Sequence, residues 1–191
     1  MDTLLAVFLG VGLSAACGFR IFFPLFIMSI ASISGNLGLS QGFEWIATYP
    51  ALITFGIATL FEILAYYIPW VDNLLDAIAT PAAITAGVIV MAAAVGDMNP
   101  LLKWTLAVIV GGGIAGTLQG FTGLVRLASS ATTGGLGNPV VSTMEAGGSF
   151  ILSILAIFLP IVAFIAVLIL MLFAIRKVYS RLFRKKQLTS G

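Results

Sequence analysis

The chain has 191 residues, of which 60% are hydrophobic and only 8% charged, with a net charge of +2. Soluble domains carry charge on roughly a quarter of their residues, so this composition excludes one and makes the bilayer the solvent. At about 20 residues per span plus connections, five or six spans use up the length and leave no room for a separate catalytic module.

Hydropathy predicts an all-α polytopic membrane fold of about five transmembrane helices, over 3–32, 50–69, 77–96, 101–128 and 150–175. Together they form a single transmembrane domain over 1–175, followed by a basic tail over 176–191. The first stretch is some thirty residues, or roughly 45 Å of helix against a hydrocarbon core of about 30 Å, so it must tilt, break or re-enter. The Gly18-Phe19 step marks where it could be interrupted, and Arg20 follows directly. A charged side chain at membrane depth costs about 2.5–3.5 kcal/mol on the permissive insertion scale. Arg20 therefore needs water, an anion or headgroup, or a structural partner such as Glu62. Cys17, the one cysteine, reads as a small helix residue, and there is no histidine. Disulfide frameworks, Cys/His zinc sites and axial-histidine haem sites are excluded.

The connection over 33–49 contains Gly35-Asn36, which is either ordinary turn chemistry or part of a re-entrant segment. The second span carries Glu62, either a carboxylate on a pathway or the partner of Arg20. Next, WVDNLLDAIA places Asp72 and Asp76 four residues apart, on one face of a short interfacial helix. Two carboxylates are too few for a divalent cation. The fourth stretch begins near Lys103. Its glycines, Gly111-Gly112-Gly113 and Gly116, suit close helix packing, because none precedes the Lys-Ser/Thr of a phosphate loop. It holds a second Gly-Phe step at Gly120-Phe121, and Arg126 near its end reads as snorkelling. The segment over 128–149, with Asn138, Ser142, Thr143 and Glu145, is unusually polar and is expected to re-enter or line a pore. Trp45, Trp70 and Trp104 fall at span ends, the headgroup zone.

Six of the nine basic residues crowd the tail: Arg176, Lys177, Arg181, Arg184, Lys185 and Lys186. They mark it as cytoplasmic and argue for topology over nucleic-acid binding. With five spans the N-terminus lies outside, Lys103 inside, and Asp72 and Asp76 outside.

A constant shift of 102 positions matches Thr3 with Thr105, Gly10 with Gly112, Gly18-Phe19 with Gly120-Phe121, and Gly35-Asn36 with Gly137-Asn138. Repeat A over 3–69 and repeat B over 101–175, separated by the linker span 77–96, would then face opposite ways. Inverted repeats with interrupted helices are a common build of secondary transporters.

Three stretches, GFRIFFPLF at 18–26, FEILAYYIPWVDNLLDAIATPAA at 61–83 and GNPVVSTMEAGG at 137–148, resemble a family of small bacterial multi-pass membrane proteins, domain of unknown function 4126. The resemblance covers nearly the whole chain. Tyr66-Tyr67 stand where the family often has a charged pair. What it implies is membership and a membrane location, not an activity.

The expected function is that of a small transporter or flippase-like protein, with a midplane polar site drawn from Arg20, Glu62, Asn36, Asn138 and Glu145. The alternative is a non-transporting accessory or structural subunit of a larger membrane complex. No nucleophile-base pair or metal-ligand cluster points to an enzyme; a lipid-modifying enzyme would have only Asp72 and Asp76 for acid-base work. No cofactor or metal is expected. The expected partners are membrane lipids and a small solute, ion or lipid, with no nucleic acid, in a homo-oligomer or larger complex. The expected location is the bacterial inner membrane.

Overall fold

The structure, a computed structural model, describes residues 2–65, 67–96 and 98–188, with 69–74, 76–77 and 178–188 described as backbone only. Its elements are α1 (Thr3–Cys17), α2 (Phe22–Ile33), a 3-10 turn (Glu44–Ala47), α3 (Tyr49–Ala65), α4 (Pro69–Ala94), α5 (Pro100–Leu106), a π-helical stretch (Ala107–Gly112), α6 (Gly113–Thr133), α7 (Asn138–Phe158) and α8 (Pro160–Leu188). Proline punctuates these starts. Pro50, Pro69, Pro100, Pro139 and Pro160 each lie in the first two positions of a helix, where the missing N–H has no intrahelical partner to lose. Asn99 adds a side-chain cap by accepting from the Leu101 N–H at 2.9 Å.

The first apolar stretch is a hairpin, not a span. α1 is 15 residues and α2 is 12, about 22 and 18 Å, both shorter than the hydrocarbon core. α2 folds back so that the loop after it returns to the start of α1. Ser40 there donates its N–H to the Ala93 carbonyl at 2.8 Å and its hydroxyl to the Ala92 carbonyl at 2.9 Å. Thr3, Ala6, Ser40, Ala94 and Gly96 line one cavity of about 280 Å³. We call this the amino end of the bundle. α3 then runs antiparallel to α2, with Gly56 against the Phe26 ring and Glu62 at the start of α2. α4 returns, with Met91 against Gly10 and Gly87 accepting the Ser14 hydroxyl at 2.9 Å. The continuous rod Pro100–Thr133 runs out again over 34 residues.

α7 and α8 close the bundle. Ser149 donates to the Ala16 carbonyl at 3.0 Å, while Ala156 and Ala163 both face Gly12. Phe8 stacks on Phe164 with centroids 4.4 Å apart, and Phe121 meets Phe173 farther along α8. α8 therefore leads to the end opposite Thr3, the carboxy end. Among the described residues three helical runs, Pro100–Thr133, Asn138–Phe158 and Pro160–Lys177, are long and apolar enough to cross a membrane, and α3 and the Ile78–Ala94 part of α4 are shorter apolar helices beside the α1–α2 hairpin.

Several expectations change with this path. The connection over 33–49 packs on the amino end. Residues 128–149 are mostly helical, comprising the end of α6, a turn and the first half of α7. The stretch 150–175 is interrupted at Leu159. Gly120-Phe121 lies inside α6, so only the first Gly-Phe step is a break, and the shift of 102 does not carry the interruption into the second half. Lys103 donates to the Ser40 hydroxyl at the amino end, so it sits opposite the tail. Residues 69–77 are the first turns of α4, not a separate interfacial helix; the Trp70, Asp72 and Asp76 side chains lie outside the described residues.

α1 is the central element. Its residues from Leu9 to Cys17 are buried, against α4, α6, α7 and α8. Close approach depends on missing side chains: a Cβ on Gly87 would lie 2.6 Å from the Gly111 carbonyl oxygen, and one on Gly111 equally close to that of Gly87. Outward-facing stripes such as Ile53, Ile57, Leu60 and Leu64 on α3 and Ile161, Ile165, Leu168 and Leu172 on α8 recur every three or four residues. They are the lipid-facing surface.

Candidate functional site

A chain that turns inside an apolar layer must satisfy the peptide groups it frees, because no water is present to do so. At the α1–α2 turn Gly18, Phe19 and Arg20 still donate backward to Ser14, Ala15 and Ala16. The first N–H groups of α2 have no helical carbonyl behind them. Glu62, projecting from α3, takes two of them: its Oε1 accepts from the Ile21 N–H at 2.8 Å and its Oε2 from the Phe22 N–H at 3.1 Å. A carboxylate also suits the positive end of a helix dipole. Gly18 lets this turn sit tight on α6, since a Cβ there would be 2.7 Å from the Leu118 Cβ and 2.8 Å from the Ala115 carbonyl oxygen.

Arg20 leaves the same turn in the other direction and is 1% exposed. Its guanidinium donates to the Ser142 carbonyl at 2.8 Å and to the Ser142 hydroxyl, and lies 3.5 Å from Glu145. Glu145 is also held by Arg126, whose Nε donates to Oε1 at 3.1 Å while Nη2 pairs with Oε2. Arg126 is 2% exposed and Glu145 5%. Three helices and one turn thus converge on two guanidiniums and two carboxylates. Toward the carboxy end, the Tyr67 and Thr143 hydroxyls hydrogen-bond at 2.8 Å, tying the end of α3 to α7.

Of the five residues expected from sequence, Arg20, Glu62 and Glu145 come together, and Asn36 and Asn138 do not. Asn36 is exposed at the amino end. Asn138 starts α7 at the opposite end, where its amide donates to Ser130 at 2.9 Å. The expected Arg20–Glu62 partnership resolves differently, with Glu62 capping the backbone and Arg20 meeting Glu145. Arg126 is not snorkelling, because it is a buried member of the cluster. Its signal was present in the sequence, a lone arginine two helical turns from Gln119 on the same face of α6.

Lipid-facing apolar stripes around a bundle whose ions point inward define a polytopic helical membrane protein. The chain belongs to the DUF4126 family, described as a domain of unknown function, whose model matches residues 7–180. No curated protein and no solved structure matches it.

Proposed function

We propose that the protein is a small flippase-like transporter whose polar path passes the tip of the α1–α2 hairpin. The supporting observation is the buried cluster of Arg20, Glu62, Arg126 and Glu145 at that tip. Ionisable groups at membrane depth are costly and mark substrate or ion paths, and a hairpin ending mid-membrane provides the irregular backbone that transporter sites are built from. The cluster couples three helices through charge, so a substrate ion entering it would compete for its partners and loosen the hairpin from α7.

Orientation belongs to this reading. The tail carries six basic residues and the amino end only Lys103, which favours a cytoplasmic tail in a bacterial inner membrane. The inverted relation between chain halves rests on the sequence register alone, and the reading does not require it.

Reconstitution tests it. Proteoliposomes carrying NBD-labelled phosphatidylglycerol should show protein-dependent access of dithionite to inner-leaflet label. Arg20→Ala and Glu62→Gln should each lower that rate at least about tenfold, with monodisperse, folded protein. Unchanged rates in folded variants, or no protein-dependent access in the wild type, would remove the proposal. A stoichiometric partner retained in mild detergent would favour the accessory-subunit alternative.

A further inference from the structure

The outward face of α6 differs from the other lipid-facing surfaces. α3 and α8 present Ile or Leu every three or four residues, whereas α6 presents Gly113, Thr117 and Gly120 before Leu124 and Leu127. Glycine weakens a helix, and its use there is to let another backbone come close. Gly87 and Gly111 are used in that way, against each other, inside the bundle. Among the described residues nothing approaches the outer glycines: a Cβ on Gly113, Gly120 or Gly123 would meet nothing within 4 Å.

Beside this face α4 and α6 separate. They touch where Gly112 and Gly116 meet Ile84, and farther along they leave a groove of about 410 Å³ between Thr80 and the Gly120–Gly123 turn. Gln119 lines the groove, is only 5% exposed, and its side-chain amide makes no hydrogen bond among the described residues. Arg126 and Ser130 also line it but are taken, the first by Glu145 and the second by the Asn138 amide. A buried amide is retained only where something supplies partners. Depth decides what can do so. Gln119 stands near the middle of the 34-residue rod, roughly 21 Å of helix from the end of α6. Half a hydrocarbon core is about 15 Å, so a phospholipid resting in either leaflet brings acyl chain to that depth and not headgroup. Hydrocarbon offers no hydrogen bond, whereas another helix does.

We propose that this face receives α6 of a second copy of the chain, the two helices related by a two-fold axis along the membrane normal and closest between Gly113 and Gly120. Copies inserted the same way bring equal residues to equal depth, so the face is its own complement, glycine opposite glycine. Thr117 and Gln119 lie on opposite sides of the Gly113–Gly120 line, and a two-fold axis brings opposite sides together. The Gln119 amide then meets the partner's Thr117, about 3 Å away in depth. The Thr117 hydroxyl donates to the Gly113 carbonyl at 2.7 Å, which leaves its oxygen able to accept from an amide N–H. Dimerisation of this kind does not depend on transport.

Single-molecule photobleaching of the labelled full chain in liposomes, at falling protein-to-lipid ratio, measures the association. Gly113→Ile and Gly120→Ile add bulk to the face without touching the protein's own packing, and Gln119→Leu removes the open amide. Each should weaken dimerisation at least about tenfold while the thermal midpoint in detergent stays near that of the wild type. Ile57→Ala, on the outward stripe of α3, should leave dimerisation unchanged. In a Cys17→Ala background, Leu124→Cys should give a disulfide-linked dimer under mild oxidant and Ile57→Cys should not. A wild type that is monomeric at every ratio, dimerisation unchanged in both glycine variants, or cross-linking at position 57 in place of 124 overturns the assignment. A monomer whose α6 face retains a phospholipid in native mass spectrometry overturns it too.

Discussion

Two of the helical hairpins, α1–α2 and α7–α8, solve the problem of turning in different ways. α1–α2 has short arms and turns within the bundle, at a point reached by Arg20 and closed by Glu62. α7–α8 has arms long enough to cross a membrane, and its turn, Phe158-Leu159-Pro160, is apolar, with Phe158 and Leu159 exposed. The backbone accounts for the difference. At the second turn the Leu159 N–H reaches Leu155 at 2.8 Å, the Ala163 N–H reaches Leu159 at 3.0 Å, and Pro160 has no N–H to satisfy. These two bonds tie α7 to α8 through the backbone, and no side-chain acceptor closes the turn among the described residues. At the first turn α2 starts afresh, and a side chain from forty residues away must complete it. A turn that depends on a distant carboxylate brings charge to membrane depth, and that charge recruits Arg20, Arg126 and Glu145.

The largest expected loss comes from the ion that two others share. Glu145→Leu leaves both guanidiniums buried without their carboxylate, which costs about 3–5 kcal/mol when one side of a buried pair is removed. The thermal midpoint in detergent should fall sharply, and adding Arg126→Met should recover part of the loss. A double variant less stable than Glu145→Leu alone would mean that Arg126 is held by something other than Glu145.

Glu62 comes next and tests the comparison most directly. Glu62→Leu strips the acceptors from the Ile21 and Phe22 N–H groups, each worth about 1–3 kcal/mol when left buried and unsatisfied. Glu62→Gln keeps one carbonyl acceptor and should cost about half as much. Hydrogen exchange at the start of α2 should rise in the Leu variant while the α7–α8 turn stays protected. Equal rises at both turns would mean that the two hairpins open together and that the cap is not what distinguishes them.

Part of this was legible in the sequence. Length against bilayer thickness showed that the first stretch could not be a plain span, and Gly18-Phe19 located the break. Hydropathy places α3 and the start of the rod through α6 closely, at 50–69 and 101–128, but begins α4 at 77, where the helix starts at Pro69. The fold-back of α2 was not legible, because it is decided by a contact between Glu62 and Ile21, far apart in sequence, and hydropathy is the same for a hairpin and a tilted span. Residues 128–149, expected to re-enter or line a pore, run as the end of α6, a turn and the first half of α7. Ser142 and Glu145 lie on the buried face of α7, and sequence polarity alone does not say that Arg20 and Arg126 face them. A position near a predicted span end lets Arg126 read as snorkelling, and only the length of α6 places it two turns inside.

Gly18 tests how tightly the first turn is held. Gly18→Ala puts a Cβ against the Ala115 carbonyl and Leu118, a backbone contact that cannot move aside cheaply, and overpacking of this kind costs about 1–3 kcal/mol. Gly120→Ala, the position matched to it by the shift of 102, meets nothing and should be neutral or slightly stabilising. Equal losses at the two sites would restore their equivalence.

The smallest effect belongs to the second turn. Pro160 occupies the first position of α8, where its fixed φ suits a helix start and its missing N–H breaks no hydrogen bond. Pro160→Ala therefore removes only the restriction on the unfolded chain, about 0.4–1 kcal/mol. The turn itself should persist, since the Leu159 and Ala163 backbone bonds do not involve the proline ring. Cysteines at positions 8 and 164, which replace the stacked Phe8 and Phe164, report the geometry through cross-linking. Their yield should be unchanged by Pro160→Ala and should fall if α7 and α8 merge into one straight helix, which would show that proline, not the arrangement around Gly12, makes the second hairpin.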